Sequence, residues 1–259
     1  MTELNRIKTG TKKIKLYQNE AMDVLDSLES NSIGLVYTDP PFNTGITRSS
    51  ARGMGSFADT FTDYYNFIKP HLIAAHRILT SNGSLFIHLD YHEVHRTKVL
   101  LDKIFGCSNF KNEIIWIYDF GGRPKNRYAP KHDTILWYTK TKDYIFHEDQ
   151  IDRIPYMAPG LCGPEKEKAG KRITDCWWNT IVPTQGKERT GYPTQKPHII
   201  TDRIVRVHSN PGDTVLDFFA GSGTTGISAY ENGRKSILVD NNPEAIEVIL
   251  KRIAEVIQP

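Results

Sequence analysis

Cysteine is scarce: Cys107, Cys162 and Cys176 are the three in 259 residues. They give neither the even count of a disulfide framework nor the C-x-x-C spacing of a zinc or redox site, and are expected as reduced, partly buried thiols of a cytoplasmic protein. No stretch approaches the ~20 apolar residues of a membrane span, and the opening MTELNRIKTGTKKIK has no apolar signal core, so no membrane partner is expected. An excess of one charge sign is lacking too. Lys and Arg number 33 against 30 Asp and Glu, a net +3, so any surface for a polyanion must be local. No internal repeat or low-complexity tract is visible, which leaves one large domain, or one domain with a modest insertion.

What the chain carries is alternation. Apolar runs at Ser32–Thr38, Ser84–Leu89, Thr214–Phe218 and Ser236–Val239 read as buried strands, with Lys13–Tyr17 a candidate fifth. Helical patterns lie between them at Glu20–Leu28, Asp63–Leu79, Glu93–Ile104, Thr224–Asn232 and Pro243–Val256. This predicts an α/β fold, a doubly wound and mostly parallel sheet covered on both faces. Pro70 leaves open whether the second helical pattern is one kinked helix or two. From about Phe110 to Tyr192 the rhythm stops, and the region reads as an inserted recognition segment. The chain thus divides into 1–109, 110–192 and 193–259. Within the middle part, Gly121–Lys142 holds six basic residues (Arg123, Lys125, Arg127, Lys131, Lys140, Lys142) against Asp133, interleaved with Tyr128, Trp137 and Tyr138. Cations with aromatics suit a nucleic-acid surface; a solvated loop followed by a strand at Thr134–Thr139 is the plainer reading.

Asp217–Gly226 reads DFFAGSGTTG, a strand end, a glycine turn and a helix start. Gly221, Gly223 and Gly226 satisfy G-x-G-x-x-G and Asp240 ends the next strand, so a nicotinamide dinucleotide site is open on spacing. Asp217 weighs against it. A carboxylate beside the loop repels a pyrophosphate but suits a cationic ammonium, which S-adenosylmethionine carries. The loop amides then face the methionine carboxylate, and Asp240 accepts from the ribose hydroxyls.

Asp39-Pro40-Pro41-Phe42 follows the strand IGLVYT at its carboxyl end, where α/β enzymes place their chemistry. Two adjacent prolines stiffen the backbone and present carbonyls without donors. An exocyclic base amine is a poor nucleophile, its lone pair delocalised into the ring, and must be polarised and held in line. Asp39 and the Pro40 carbonyl can each accept one of its hydrogens, and Phe42 offers a face for a base swung out of a duplex. Alone, D-P-P-F is also an ordinary strand-ending turn.

TDPPFNTG, YPTQKP (Tyr192–Pro197) and VLDFFAGSGTTG together resemble the site-specific DNA amino-methyltransferases of bacteria and their phages, in the group with the tetrapeptide first and the cofactor loop last. HLDYHEVH, NEIIWIY and KHDTILWYTK extend the resemblance over nearly the whole chain. It implies the S-adenosylmethionine-dependent methyltransferase fold in permuted order, double-stranded DNA as partner, and adenine N6 as the target, since the cytosine N4 members more often carry serine where Asp39 stands. By the same resemblance Asp39 to Phe42 form the target pocket; Asp217, Phe219, Gly221, Gly223 and Thr224 line the cofactor; Asp240 holds its ribose. Thr194 to Pro197 close over the methionine end, with Lys196 available to its carboxylate, while Asn19 and Glu20 replace a usual Gly-Asp beside the adenine. Arg123, Lys125, Arg127 and Lys131 are the expected phosphate contacts. A homodimer and a restriction endonuclease partner are compatible with the resemblance.

No metal is expected, because transfer from a sulfonium needs no Lewis acid. His88 and Asp90 read as a functional pair or as a core histidine and a helix cap; Trp177 and Trp178 read as packing residues ahead of a DNA wedge. The rival functions are a cytosine N4 methyltransferase, a nicotinamide-dependent oxidoreductase, and a DNA-binding protein without turnover.

Overall fold

The computed structural model describes residues 4–49, 56–183 and 185–257. In chain order its strands are β1 (Arg6–Ile7), β2 (Ile14–Gln18), β3 (Ile33–Thr38), β4 (Ile46–Ser49), β5 (Ser56–Asp59), β6 (Leu79–Leu89), β7 (Phe110–Ile117), β8 (His132–Thr139), β9 (Arg153–Ile154), β10 (Lys171–Arg172), β11 (Cys176–Trp178), β12 (Thr214–Asp217) and β13 (Lys235–Asp240). The helices are α1 (Ala21–Ser27), α2 (Tyr64–Ile78), α3 (Val94–Phe105), α4 (Pro164–Ala169), α5 (His198–His208), α6 (Thr224–Glu231) and α7 (Pro243–Ile257).

Nine strands form one sheet in the order β1-β2-β13-β12-β3-β6-β8-β7-β11. The run from β2 to β6 is parallel throughout; β8 is antiparallel to both its neighbours, and β1 to β2. β3 is buried at every position, as a central strand covered on both faces must be. Alternate residues serve the two faces. Val36 packs with Leu25, Ile68, Leu72 and Leu101 of α1 to α3, whereas Leu35 and Tyr37 pack with Ile200, Ile204 and Val205 of α5. On that second face α6 and α7 meet β2 and β13 through Ile227, Ile249, Ile253, Leu16 and Leu238. The doubly wound, mostly parallel sheet is therefore as the alternation implies.

From β3 the chain crosses through α2 to β6 on one side; from β12 it crosses through α6 to β13 on the other. The reversal falls between β12 and β3, paired at Val215 with Leu35 and Leu216 with Val36. A crevice opens at such a point, beyond the carboxyl ends of the strands. Asp39 follows β3 there and Asp217 ends β12.

Three features differ from the sequence reading, and the question left open at Pro70 is decided. The expected insertion 110–192 contains two long strands of the central sheet, β7 and β8; its irregular parts are the segments after each. Helix α5 has no counterpart among the expected helices, because its Thr201, Arg203 and His208 are buried with its apolar residues and blur the stripe. Helix α2 runs unbroken through Pro70, which sits on its exposed side while Ile68, Leu72 and Ala75 anchor the other. Cys107 and Cys176 are exposed. Among the described residues no helix is long and apolar enough to cross a membrane.

Candidate active site

A cavity of about 950 Å³ occupies the crevice. Asp39, Pro40, Pro41 and Phe42 line it, as do Glu20, Thr194, Lys196, Asp217, Phe219, Gly221, Thr224 and Asp240. The sequence motifs, scattered from one end of the chain to the other, therefore converge on one space.

The β12 side is built around two buried carboxylates. Asp217 accepts from Thr225 Oγ1 at 2.7 Å and from the Phe219 amide at 3.2 Å. Burial pushes its carboxyl up to about 7, against those two hydrogen bonds. Asp240 accepts from the amides of Gly221 (2.8 Å) and Asn242 (2.9 Å), and burial raises it to about 6. The loop between them turns through Gly221 and Gly223, both at positive φ. A Cβ on Gly223 would stand 2.8 Å from Ile249 Cγ1, and one on Gly226 would stand 2.4 Å from Leu238 Cδ1. Gly223 does not line the cavity; it and Gly226 let the loop and α6 close on α7 and β13. Behind the loop the buried Arg252 guanidinium donates to the Ser222 carbonyl and to Thr224 Oγ1, each at 2.8 Å. Helix α6 starts at the loop, its Gly226 and Ile227 amides bonding the Gly223 carbonyl, and a helix start directs its first amides and the positive end of its dipole toward the loop.

The β3 side carries the tetrapeptide. Asp39 Oδ2 accepts from Lys196 Nζ at 2.6 Å, while Asp39 Oδ1 is buried with no hydrogen-bond partner among the described residues. Next in the chain, Asn43 at φ 60° and Thr44 are clamped by Asp59, whose Oδ1 accepts from the Asn43 amide at 2.7 Å and whose Oδ2 accepts from Thr44 Oγ1 at 2.5 Å. Asn43 in turn donates to the buried Glu93 at 2.8 Å. Phe42 stacks on His88 with 6.1 Å between ring centroids. His88 is fully buried: Nδ1 meets Tyr37 Oη at 2.9 Å and Nε2 meets Asp133 Oδ2 at 3.1 Å, and Tyr118 Oη donates to Asp133 Oδ1 at 2.9 Å. Burial pushes the Asp133 carboxyl up, but the contacts with His88, the charge of Lys196 and the hydrogen bond from Tyr118 together reverse it, leaving it below its usual range. Tyr37, Trp116, Tyr118, Phe120 and Asp133 extend the cavity wall away from the glycine loop.

The loop Thr190–Lys196 closes the third side. Gln195 Oε1 accepts from the amide and hydroxyl of Thr190, both at 2.8 Å, and its Nε2 donates to the Glu188 carbonyl at 2.6 Å. This bracing holds Tyr192, Thr194 and Lys196 over the cavity.

The family model for DNA methylases matches residues 33–251. The chain belongs to the DNA methylase family. Among curated relatives, the type II methyltransferase M.HpaI of Haemophilus parainfluenzae is 32% identical over 242 residues, covering 92% of this methylase and 74% of the relative. The DNA adenine methyltransferase YhdJ of Escherichia coli K12 is 29% identical over 258 residues, covering 94% and 84%. Among solved structures, the cytosine-N4-specific PvuII DNA methyltransferase superposes with a TM-score of 0.69 at 17% identity, covering 95% and 92%. A modification methylase of Thermus thermophilus, complexed with S-adenosyl-L-methionine, gives 0.64 at 23% identity, covering 94% of each chain. These two likenesses establish the fold.

Several expected site residues of the methylase are placed otherwise. Asn19 does not line the cavity; its Oδ1 accepts from the Asn5 amide at 2.8 Å and ties down the first strand. Lys196, expected toward a carboxylate of the cofactor, pairs with Asp39. The basic stretch splits: Arg123, Lys125 and Arg127 are exposed and Tyr128 fully so, whereas Trp137 and Tyr138 are core residues. Lys140 spends its ammonium on Asn31, Arg77 and Leu79, and Lys131 donates to the Phe120 and Gly121 carbonyls. Arg123 faces Asp119 at 3.6 Å. Trp177 packs as expected, but Trp178 is 75% exposed.

His88 pairs with Asp133 and not with Asp90, which binds His92 at 2.8 Å. His88 and His92 stand at a zinc-like spacing of four, yet both ring nitrogens of His88 are engaged by Tyr37 and Asp133, and Nδ1 of His92 is engaged by Asp90. Among the described residues no group of three His, Cys, Asp or Glu side chains is arranged to hold a metal. The sequence reading missed Asp59, which stands in no motif, and Asp133 and Tyr118, which stand in quoted motifs without an assigned role.

Proposed function

We propose that this methylase transfers a methyl group from S-adenosylmethionine to the N6 amine of a flipped adenine in double-stranded DNA. The observation that carries the reading is Asp39 Oδ1: a buried carboxylate oxygen without a partner among the described residues, on the wall of a cavity shared with the glycine loop. A buried acceptor left unpaired is costly, and a base amine arriving with a hydrogen removes that cost. The Pro40 carbonyl takes the second hydrogen, and together they orient the nitrogen lone pair.

The fit to the cofactor rests on the charge pattern of the cavity. S-adenosylmethionine supplies a methyl on a positively charged sulfonium. Asp217 receives the ammonium of its methionine part, the first turn of α6 its carboxylate, and Asp240 the ribose hydroxyls. Glu20 and the neighbouring Ala21 and Met22 form the wall for its adenine. The Thermus thermophilus structure supports the same cofactor by likeness of fold.

Adenine is favoured by the charged acceptor at position 39 and by the name of the YhdJ relative. A second reading, cytosine N4, is kept open by the likeness to the PvuII enzyme. We assign target recognition to 110–192, with 1–109 as the catalytic half and 193–259 as the cofactor half; in the recognition part Arg123, Lys125 and Arg127 serve as phosphate contacts, while Lys131 pins the start of their segment through the Phe120 and Gly121 carbonyls. A cytoplasmic location, a homodimer and a restriction endonuclease partner belong to the same proposal.

The test is to digest DNA methylated by the protein and weigh its nucleosides. N6-methyladenine is expected, and N4-methylcytosine as sole product would overturn the base assignment. Asp39→Ala is expected to lower turnover by about 10³-fold or more, while S-adenosylhomocysteine still binds, because the lost acceptor serves the amine.

A further inference from the structure

Lys196 does two things in the cavity at once. Its ammonium donates to Asp39 Oδ2 at 2.6 Å and stands over the ring of Phe42, 4.8 Å from the centroid. The other ring stacked on Phe42, that of His88, is fully buried and does not line the cavity. Lys196 therefore covers the cavity face of Phe42, the face on which an entering base would stack. An N–H donor bonded to Asp39 and packed on Phe42 matches the contacts assigned above to the target amine and its ring.

We propose that Lys196 is the rival of the target base for Asp39 and Phe42, and that it yields when the cofactor carboxylate takes over its charge. The inference rests on the proposed function. A neutral amine alone competes poorly with an ammonium for a carboxylate. Lys196 and Asp39 side chains are only 11% and 16% exposed, so an ammonium displaced without a new partner would be left largely desolvated. The backbone of Lys196 already adjoins the place where that partner binds: its carbonyl accepts from Thr224 Oγ1, at the first residue of α6. One side chain thus links two subsites. Cofactor binding opens the base site, and by reciprocity a bound base strengthens cofactor binding.

The test uses the intact protein and a duplex bearing the site it methylates, with 2-aminopurine next to the target adenine, where it reports the loss of stacking when that adenine leaves the helix. Two ligands separate the carboxylate from the rest of the cofactor: S-adenosylhomocysteine, and its decarboxylated form, which keeps the ammonium and lacks only the carboxylate. In the wild type, S-adenosylhomocysteine is expected to tighten duplex binding and raise the 2-aminopurine signal by about 10-fold over the decarboxylated form. In Lys196→Met the two ligands should act alike, and the protein without ligand should bind the duplex more tightly than wild type. Lys196→Gln serves as a second neutral variant should the first melt early, and Lys196→Arg should restore the difference between ligands.

Equal effects of the two ligands on the wild type would overturn the proposal, even with methylation intact. So would neutral variants that keep the wild-type difference, or that lose it without gaining affinity for DNA. Failure of the proposed function reads out separately, as a wild type that binds no S-adenosylhomocysteine and forms no methylated base.

Discussion

Asp217 and Asp240 are carboxyls whose protonation the fold has displaced, to about 7 and about 6 from an ordinary 3.8. A carboxyl raised on folding adds stability that is full below its unfolded value and is lost as the pH climbs through its folded value. The free protein should therefore lose stability from about pH 4 up to about pH 7, on the order of 4 kcal/mol at most from Asp217. Thermal melts across that range check it: Asp217→Asn should flatten the decline, and an unchanged slope would mean that Asp217 is ionised throughout. A cationic ligand favours the ionised form, so affinity for S-adenosylmethionine should rise over the same interval with release of a proton. Asp217 and Asp240 were legible because each ends an apolar run, Asp217 beside a glycine turn and Asp240 at the end of the next strand. Asp59 was not legible, because its partners Asn43 and Thr44 reach it across a hairpin and no periodicity marks a residue that acts by hydrogen-bonding a distant backbone.

Helix α6 illustrates how an element is fitted to its neighbours. It is short, weakly amphipathic and buried at six successive positions from Thr224 to Ala229, so it depends on close approach to β13 at Gly226. Gly226→Ala should cost about 1–3 kcal/mol of stability by overpacking against Leu238. Gly223→Ala should cost at least as much, since its φ of +73° adds backbone strain to the contact with Ile249. Denaturant melts of both variants, beside an exposed control such as Gly122→Ala, give the comparison. At this scale the sequence was informative where one face is apolar, as in α3 and α7, and silent where polar groups are buried in pairs. In α5, Thr201 bonds Ser228 and Arg203 bonds Asp152, so a buried surface reads as a polar one. In β7, Lys111 and Glu113 break the run that would have marked a strand.

For the whole molecule, charge is local. The exposed segment with Arg123, Lys125 and Arg127 lies between β7 and β8, and Phe120 at its start reaches the cavity wall. If those cations track phosphates, replacing all three with alanine should weaken binding on every duplex and reduce the slope of log K against log salt by up to about 2.7. Cofactor affinity should not change. An unaltered slope would return the segment to a solvated loop. Fold and cavity were readable because strand ends and glycine turns are local signals, whereas the pairing of Lys196 with Asp39 joins residues that only the packed sheet brings together.

The reversal of strand order between β12 and β3 has a consequence in time. A ribosome delivers Asp39 and its proline clamp well before the glycine loop, and β3 finds its neighbour β12 only after the intervening chain has emerged. Until then the strand bearing the clamp has an open edge, and only one wall of the site exists. Activity should therefore arrive as a step once β12 and its glycine loop have been made, and a nascent chain released before Thr214 should be inert, however well its first half has folded.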